Sequence, residues 1–204
     1  LGVHLIEKLS PLSNEISLLT GTSERLIELV KTQTVDIAIA CTKKIDESFF
    51  AQKYLFSEPS VLALPKEPRF EKDFFTWEEL RFCGLPFLRY NRFSGGSEMT
   101  ENFLNSLFIH LPNRIEVDDG GVMLKLICKG IGWSLVRPAT LVQHPDLAAQ
   151  VHFCKMPDPV MQREVILIFG KSVNPELVDT VETLSKSFYE AELSKEFKKI
   201  LQQK

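Results

Sequence analysis

The sequence lacks long hydrophobic runs and has no surplus of basic residues. No apolar stretch approaches the roughly twenty residues that a membrane-spanning helix needs. The 24 Lys and Arg stand against 27 Asp and Glu, which gives a net charge of −3. We therefore expect no membrane segment and no direct contact with a nucleic-acid backbone. The chain begins without a methionine or a signal peptide, so we expect it to be a fragment of a longer protein.

Paired cysteines and clustered histidines are also missing. Cys41, Cys83, Cys128 and Cys154 include no Cys-x-x-Cys pair, and the four histidines have no metal-ligand spacing. Scattered cysteines beside apolar neighbours are typical of reduced core residues. We predict no metal and no cofactor.

Catalytic signatures are absent as well. The sequence has no G-x-S-x-G elbow and no G-x-x-x-x-G-K-[ST] loop. The run from Ser94 to Gly96 has no base close in sequence, and no pair of carboxylates stands in a context that marks it for acid–base chemistry. We predict that the chain is not an enzyme.

What the chain does contain is an alternation of amphipathic helices and apolar strands over 204 residues, enough to bury a substantial core. This alternation predicts an α/β fold with a parallel, doubly wound sheet. Prolines at Pro65 and Pro68, and again at Pro157 and Pro159, mark two changes of composition that we interpret as crossings between two subdomains. The predicted strands are 15–19, 35–40, 49–56, 60–64, 85–90, 151–156 and 164–169, and residues 141–149 predict one short helix.

Residues 115–138 form the most informative stretch, because they predict a strand, a Gly-Gly turn, a helix and a second strand that ends at Pro138. Asp118 or Asp119 can cap the helix, and Gly130 is suited to the positive φ that often ends one. Gly120 and Gly121 would let a neighbouring backbone or a ligand approach the helix start, where bare N–H groups favour a small polar or anionic molecule. The alternative is that these residues only form a tight loop.

In open α/β sheets, ligands bind beyond the carboxyl ends of the strands. This rule collects four segments, 20–23, 41–42, 89–97 and 118–122. Arg89 and Arg92 add cations suited to a carboxylate or phosphate, although a surface ion pair with Asp118 or Asp119 is the alternative. We expect Arg92→Ala to abolish ligand binding. The candidate ligand-binding residues are Thr20, Thr22, Cys41, Thr42, Arg89, Asn91, Arg92, Phe93, Ser94, Gly95, Ser97, Asp118, Asp119, Gly120, Gly121 and Val122.

The order of these segments resembles the effector-binding domain of LysR-type transcriptional regulators. The residues that carry the resemblance are GTSERLIELVKTQTVDIAIA (21–40), YLFSEPSVLALP (54–65), FTWEELRFCGLPFLRY (75–90) and EVDDGGVMLKLICKGIGWSLVRP (116–138). The resemblance implies a type 2 periplasmic-binding-protein-like fold, with two Rossmann-like subdomains joined by two crossing segments and a ligand cleft between them. Subdomain I would comprise residues 1–63 and 157–204, and subdomain II residues 64–156.

The same resemblance implies a bacterial, cytoplasmic sensor that binds a small metabolite such as an organic acid or amino acid. An upstream winged helix-turn-helix, outside this chain, would contact DNA. Homodimers or homotetramers would form by packing residues 2–19 of one copy against residues 122–134 of another. Members of this family have a strand before the first helix, which either lies upstream of Leu1 or is not visible in this chain. The tail after Glu190 is longer than the family usually carries, and we expect it to lie on subdomain I.

Two other classes remain open at this point. One is a periplasmic solute-binding receptor of the same fold, which a cleaved signal upstream would indicate. The other is a cysteine-based redox sensor, which would need two cysteines with Cα atoms within about 7 Å of each other.

Overall fold

The computed structural model describes residues 1–41, 50–91, 95–111 and 115–202. The chain divides into two compact units. Unit 1 contains Leu1–Ser57 and Glu164–Ser194, and unit 2 contains Glu58–Arg163 and Lys195–Lys204. The sequence-based limits fell after residues 63 and 156 and assigned the whole tail to the first subdomain. The structure instead groups the described part of the tail, residues 195–202, with unit 2.

The helices and strands follow the predicted alternation closely. The α-helices are α1 (Gly2–Leu9), α2 (Ser23–Lys31), α3 (Trp77–Arg81), α4 (Gly95–Ser106), α5 (Gly120–Cys128), α6 (Pro138–Gln143), α7 (Pro145–Ala148), α8 (Pro175–Phe188) and α9 (Ser194–Gln202). The strands are β1 (Ile37–Ala40), β2 (Phe50–Pro59), β3 (Val61–Pro65), β4 (Leu88–Tyr90), β5 (Ile115–Val117), β6 (Ser134–Val136), β7 (Val151–Lys155) and β8 (Gln162–Gly170).

Unit 1 is built on a sheet with the strand order β1-β8-β2 and helices on both faces. Successive residues of a strand point to opposite faces. Ile37 and Ile39 accordingly join a core with residues of α1 and α8, whereas Ala38 and Ala40 pack with residues of α2. This division accounts for the nearly continuous apolar run in β1, because both of its faces are covered.

Unit 2 is organised around β3, whose five residues are all buried. This strand lies between β6 and β7 and is antiparallel to both. β4 pairs with β5 in parallel, and a parallel bridge from Phe87 to Trp133 joins β4 to the start of β6. β5, β4 and β6 therefore run in the same direction, and α5 is the crossover between two of them, which confirms the predicted βαβ unit.

Three sequence-based predictions of local structure were wrong. Residues 15–19 are not a strand, and the whole of 11–22 is exposed, because an apolar alternation forms a strand only where another strand supplies hydrogen bonds. The sheet that contains β1 was predicted to be parallel. The one described neighbour of β1 is β8, and the two strands are antiparallel. Since β8 enters unit 1 from a crossing segment, no crossover helix constrains its direction. The single helix predicted over 141–149 is two short helices, each beginning at a proline.

Candidate functional site

The start of α5 has the geometry that the sequence predicts. Asp119 adopts an extended backbone, and its Oδ1 accepts a hydrogen bond from the amide of Val122 at 2.8 Å. The helix ends at Cys128, and Gly130 follows with φ of +70°. Asp119 therefore caps this helix, and the positive φ of Gly130 is confirmed. The side chain of Val122 is 46% exposed at this end of the helix.

The two glycines at this helix start make room for side chains. A Cβ on Gly120 would lie 2.7 Å from Cγ2 of Thr140 and 3.4 Å from the hydroxyl oxygen of Tyr90. A Cβ on Gly121 would lie 2.9 Å from Cε1 of His144. The separations from Thr140 and His144 are shorter than van der Waals contact, so residues of α6 and the loop after it approach α5 only because these two positions are glycine.

Asn91, the residue that follows β4, lies beside the end of β5. The amide of Asn91 donates to the carbonyl of Val117 at 2.9 Å, which continues the parallel pairing by one residue. Asn91 is therefore brought next to the segment that begins at Asp118. Two of the four predicted segments, 89–97 and 118–122, thus meet within unit 2 through their described residues.

Arg89 is held by two carboxylates. Its Nη1 donates to Glu101 at 3.2 Å, its Nη2 donates to Glu116, and its side chain is 13% exposed. The hydrogen bond to Glu116 is the main cause that raises the pKa of the guanidinium, with a further contribution from Glu101 against the opposing effect of burial. An ion pair was the stated alternative for Arg89, but the acids are Glu101 and Glu116 rather than Asp118 or Asp119. The assignment of Arg89 to a ligand stays a prediction.

The candidates in unit 1 lie at the ends of α2 and β1. The hydroxyl of Thr22 accepts from the amide of Arg25 at 3.4 Å and caps α2, while Thr20 is exposed. The amide of Cys41 donates to Oγ of Ser23 at 3.1 Å, which joins the end of β1 to the start of α2. The segment 20–23 and Cys41 therefore meet at Ser23.

Several candidates cannot be placed. Thr42, Arg92, Phe93 and Ser94 lie outside the described residues. α4 begins at Gly95, so Ser97 is in its first turn, where it is 2% exposed and does not occupy the capping position.

A polar recess within unit 2 was not anticipated from the sequence. It has a volume of about 10 Å³, which is about the room that one water molecule needs. The guanidinium of Arg137 lies 5.1 Å from the ring centroid of Tyr90, within the range of a cation–π contact. Nη2 of Arg163 donates to Oε1 of Glu58 at 2.6 Å. The lining residues are Ser60, Tyr90, Met99, Thr100, Leu135, Arg137, Met161 and Arg163.

The recess connects to the predicted site through Tyr90. This residue lines the recess, and its hydroxyl is also the third-nearest atom to a Cβ built on Gly120. One sequence signal could have indicated the recess. Arg137 is a charged residue between an apolar strand and a proline.

The structure describes all four cysteines, and none of them forms a disulfide. Burial is the main cause that raises the pKa of Cys83 and Cys128, and it raises that of Cys154 to about 12. Nucleophilic attack and metal binding require the thiolate, so these three thiols are poorly suited to redox or metal chemistry.

Across the part of the chain that the structure describes, no three histidine, cysteine or acidic side chains form a group that could hold a metal ion. Within that same part, every helix is too short or too polar to cross a membrane.

Comparison with known families identifies the chain. The model of the LysR substrate binding domain matches residues 13–185. The chain belongs to this family. LysR-type regulatory domains are its structural neighbours too, which confirms the α/β fold of the type 2 periplasmic-binding-protein kind. A search of curated proteins gives no match for this LysR substrate binding domain.

Solved structures resemble the chain at low sequence identity. The reduced OxyR regulatory domain from Pseudomonas aeruginosa has a TM-score of 0.70 at 18% identity, over 90% of both chains. The CcmR regulatory domain from Synechocystis PCC6803, in complex with 2-PG, has a TM-score of 0.75 at 16% identity, again over 90% of both chains. A full-length OxyR variant from P. aeruginosa has a TM-score of 0.72 at 17% identity over 90% of this chain, which spans 63% of that protein.

Proposed function

We propose that the chain is the sensor domain of a bacterial LysR-type transcriptional regulator and that it binds a small-molecule effector without chemically altering it. The observation that carries the proposal is the family match over residues 13–185. The CcmR regulatory domain in complex with 2-PG is a structural neighbour that holds a small molecule. In the full protein, which we expect to be cytoplasmic, DNA contact would come from a winged helix-turn-helix that precedes this domain.

The geometry of unit 2 supports a ligand at the start of α5. Among the described residues, none accepts a hydrogen bond from the amides of Gly120 and Gly121, so both are donors at a helix end with partial positive charge. Asn91 lies beside this turn through its bond to Val117, and Val122 presents an exposed apolar surface next to it. A polar ligand with an apolar part suits this combination. The remaining predicted contacts, Arg92 among them, belong to the same proposal.

A screen of melting temperature tests the effector proposal. Organic acids, aromatic acids, amino acids and neutral compounds of similar size would be added to the chain at millimolar concentration. A compound that binds only the folded state raises the melting temperature. We expect at least one such compound, and we expect Val122→Trp to abolish its effect because the larger side chain covers the helix start.

Leu177→Trp is the matched control, since Leu177 is 37% exposed in the first turn of α8 and lies outside both the proposed ligand site and residues 2–19 and 122–134. It should preserve the response. The proposal is wrong if no compound raises the melting temperature, or if Val122→Trp responds like the parent chain.

We further propose a homodimer, or a tetramer built from such dimers. Residues 2–19 and 122–134, the surfaces that the resemblance pairs between copies, both expose large apolar side chains, including Val3 at 81%, Leu18 at 51% and Ile131 at 40%. Exposed apolar patches of this kind mark association surfaces. Ile131→Glu should shift the chain towards monomer in analytical ultracentrifugation. A parent chain that stays monomeric at high concentration would contradict the proposal.

A periplasmic receptor is the other function to which this fold is suited. The sequence upstream of Leu1 separates the two: a winged helix-turn-helix supports the regulator, and a cleaved signal supports the receptor.

A further inference from the structure

The recess described above has the composition of an anion site. Its charged lining residues are Arg137 and Arg163, and no carboxylate among the described residues lines it. Ser60, Tyr90 and Thr100 supply three hydroxyl groups, each of which can donate a hydrogen bond. Guanidinium groups bind carboxylate and phosphate oxygens through charge-assisted hydrogen bonds, often two at a time.

Burial strengthens this arrangement. Ser60 is 5% exposed and Thr100 is 9% exposed, so hydrogen bonds to a group in the recess would form with little competition from water. The side chain of Arg163 is 16% exposed and is fixed by Glu58, which is itself 2% exposed. A guanidinium held in this way is already oriented and loses little conformational freedom when it binds an anion.

The buried carboxylate of Glu58 is a second polar feature of this region, in addition to the residues that line the recess. Its Oε1 accepts from Arg163, while its buried Oε2 has no hydrogen-bond partner among the described residues. Glu58 and Ser60 are both buried and are two positions apart in nearly continuous extended chain, with the half-buried Pro59 between them. The side chains of Glu58 and Ser60 therefore lie on the same side of the chain, towards Arg163.

The apolar residues that line the recess suit a ligand whose acidic group is attached to a hydrocarbon part. Met99, Leu135 and Met161 line the same recess and offer contact to hydrocarbon. Methionine side chains are adaptable and fill irregular gaps, so they can repack around differently shaped groups. The volume of about 10 Å³ is the room that one water molecule needs, so one oxygen of the acidic group would enter the recess and the rest of that group would lie at its mouth. The remainder of the molecule would extend towards the start of α5, which the Tyr90 hydroxyl adjoins.

We propose that this recess binds the acidic group, carboxylate or phosphate, of the effector, with Arg137 as the residue that selects for negative charge and Arg163, held by Glu58, as a further hydrogen-bond donor. The proposal rests on the effector-binding function proposed above and specifies the chemical class of the ligand.

Calorimetric titration of matched acid and amide pairs tests it. Benzoate would be compared with benzamide, succinate with succinamide, and inorganic phosphate and sulfate would be titrated alone, all at constant ionic strength. We expect at least one anion to bind and its neutral counterpart to bind at least about tenfold more weakly, because the amide forms no ion pair with Arg137. Arg137→Gln should weaken binding of the anion by about tenfold or more.

Arg81→Gln is the charge-matched control, because Arg81 is an exposed residue of unit 2 on α3. It should leave the affinity unchanged. Arg163→Gln on its own would leave Glu58 buried without its cation, so the double variant Glu58→Gln/Arg163→Gln is used instead, with the melting temperature as a check on folding. Loss of anion binding in a folded double variant supports the proposal.

Three outcomes would overturn it: no binding of any anion, equal binding of an acid and its amide, or unchanged affinity in Arg137→Gln. These outcomes are separable from failure of the effector proposal. A neutral compound that raises the melting temperature, and still does so in Arg137→Gln, would keep the sensor function and reject the anion recess.

Discussion

Arg163 donates a hydrogen bond from Nη2 to Oε1 of Glu58 at 2.6 Å, and only 2% of the Glu58 side chain is exposed. Both residues lie where the chain crosses between the two units. Removing one partner of a buried ion pair leaves an uncompensated charge in a poorly solvated place, which costs about 3–5 kcal/mol. We expect Arg163→Met to lower the free energy of unfolding by this amount, as measured by urea denaturation.

An exposed ion pair in the same unit provides the control for this variant. Nζ of Lys155 lies 3.2 Å from Asp158, with side chains 65% and 73% exposed. Exposed pairs of this kind contribute about 0–1 kcal/mol, so Lys155→Met should have a small effect. Equal destabilisation by Arg163→Met and Lys155→Met would show that Glu58 is not sensitive to the loss of its partner.

Gly130 provides a test of backbone strain. Its φ of +70° is in the left-handed region, where a side chain costs about 1–2 kcal/mol. A Cβ there would also lie 3.2 Å from Oε1 of Glu67. We expect Gly130→Ala to lower the free energy of unfolding by about 1–2 kcal/mol. Gly170→Ala is the control, because among the described residues its Cβ would meet only Cγ2 of Val173, at 3.8 Å. Similar losses in both variants would contradict the conformational explanation.

The hydrogen bonds to Glu79, near the start of α3, predict that the stability of the fold depends on pH. A hydrogen bond from Lys72 is the main cause that lowers the pKa of Glu79 from 4.5 to about 2, and the amide of Thr76 adds to it at 2.8 Å. Because the folded-state pKa is the lower one, this carboxylate contributes stability above about pH 4.5, and the contribution is lost as the pH falls towards 2. NMR titration of the Glu79 carboxyl carbon measures the value directly.

Lys72→Gln should move the pKa of Glu79 up towards its usual range, whereas Lys155→Gln, which removes the same charge elsewhere in unit 2, should not. A pKa of about 4.5 for Glu79 in the parent chain would show that the ion pair does not persist in solution.

The sequence predicted the features that depend on near neighbours. Asp119 caps α5 through an amide three residues away, and Gly130 closes the same helix, so a local pattern was sufficient for both. The strand expected at 15–19 was not found, because a strand also needs a partner that a local pattern cannot supply.

The features that depend on distant residues were not predictable. The carboxylates that hold Arg89 are an example, because Glu101 and Glu116 are 12 and 27 positions away and come close only in the fold. The recess similarly joins residues from 60 to 163. The tail was expected on the first subdomain, whereas Phe197 packs against the unit 2 core around α5.

Cys154 provides a test of the redox alternative. It is 5% exposed, and burial raises its pKa to about 12, with only a small opposing effect from the charge of Lys72. Its thiol is therefore almost entirely protonated at pH 8, and alkylation requires the thiolate. We expect iodoacetamide to leave Cys154 unmodified in the folded chain, and to modify all four cysteines in urea, as measured by mass spectrometry of peptides.

Hydrogen peroxide should likewise produce no disulfide that includes Cys154. Modification of Cys154 at the same rate with and without urea would contradict this prediction, and a peroxide-dependent disulfide at Cys154 would favour a redox sensor.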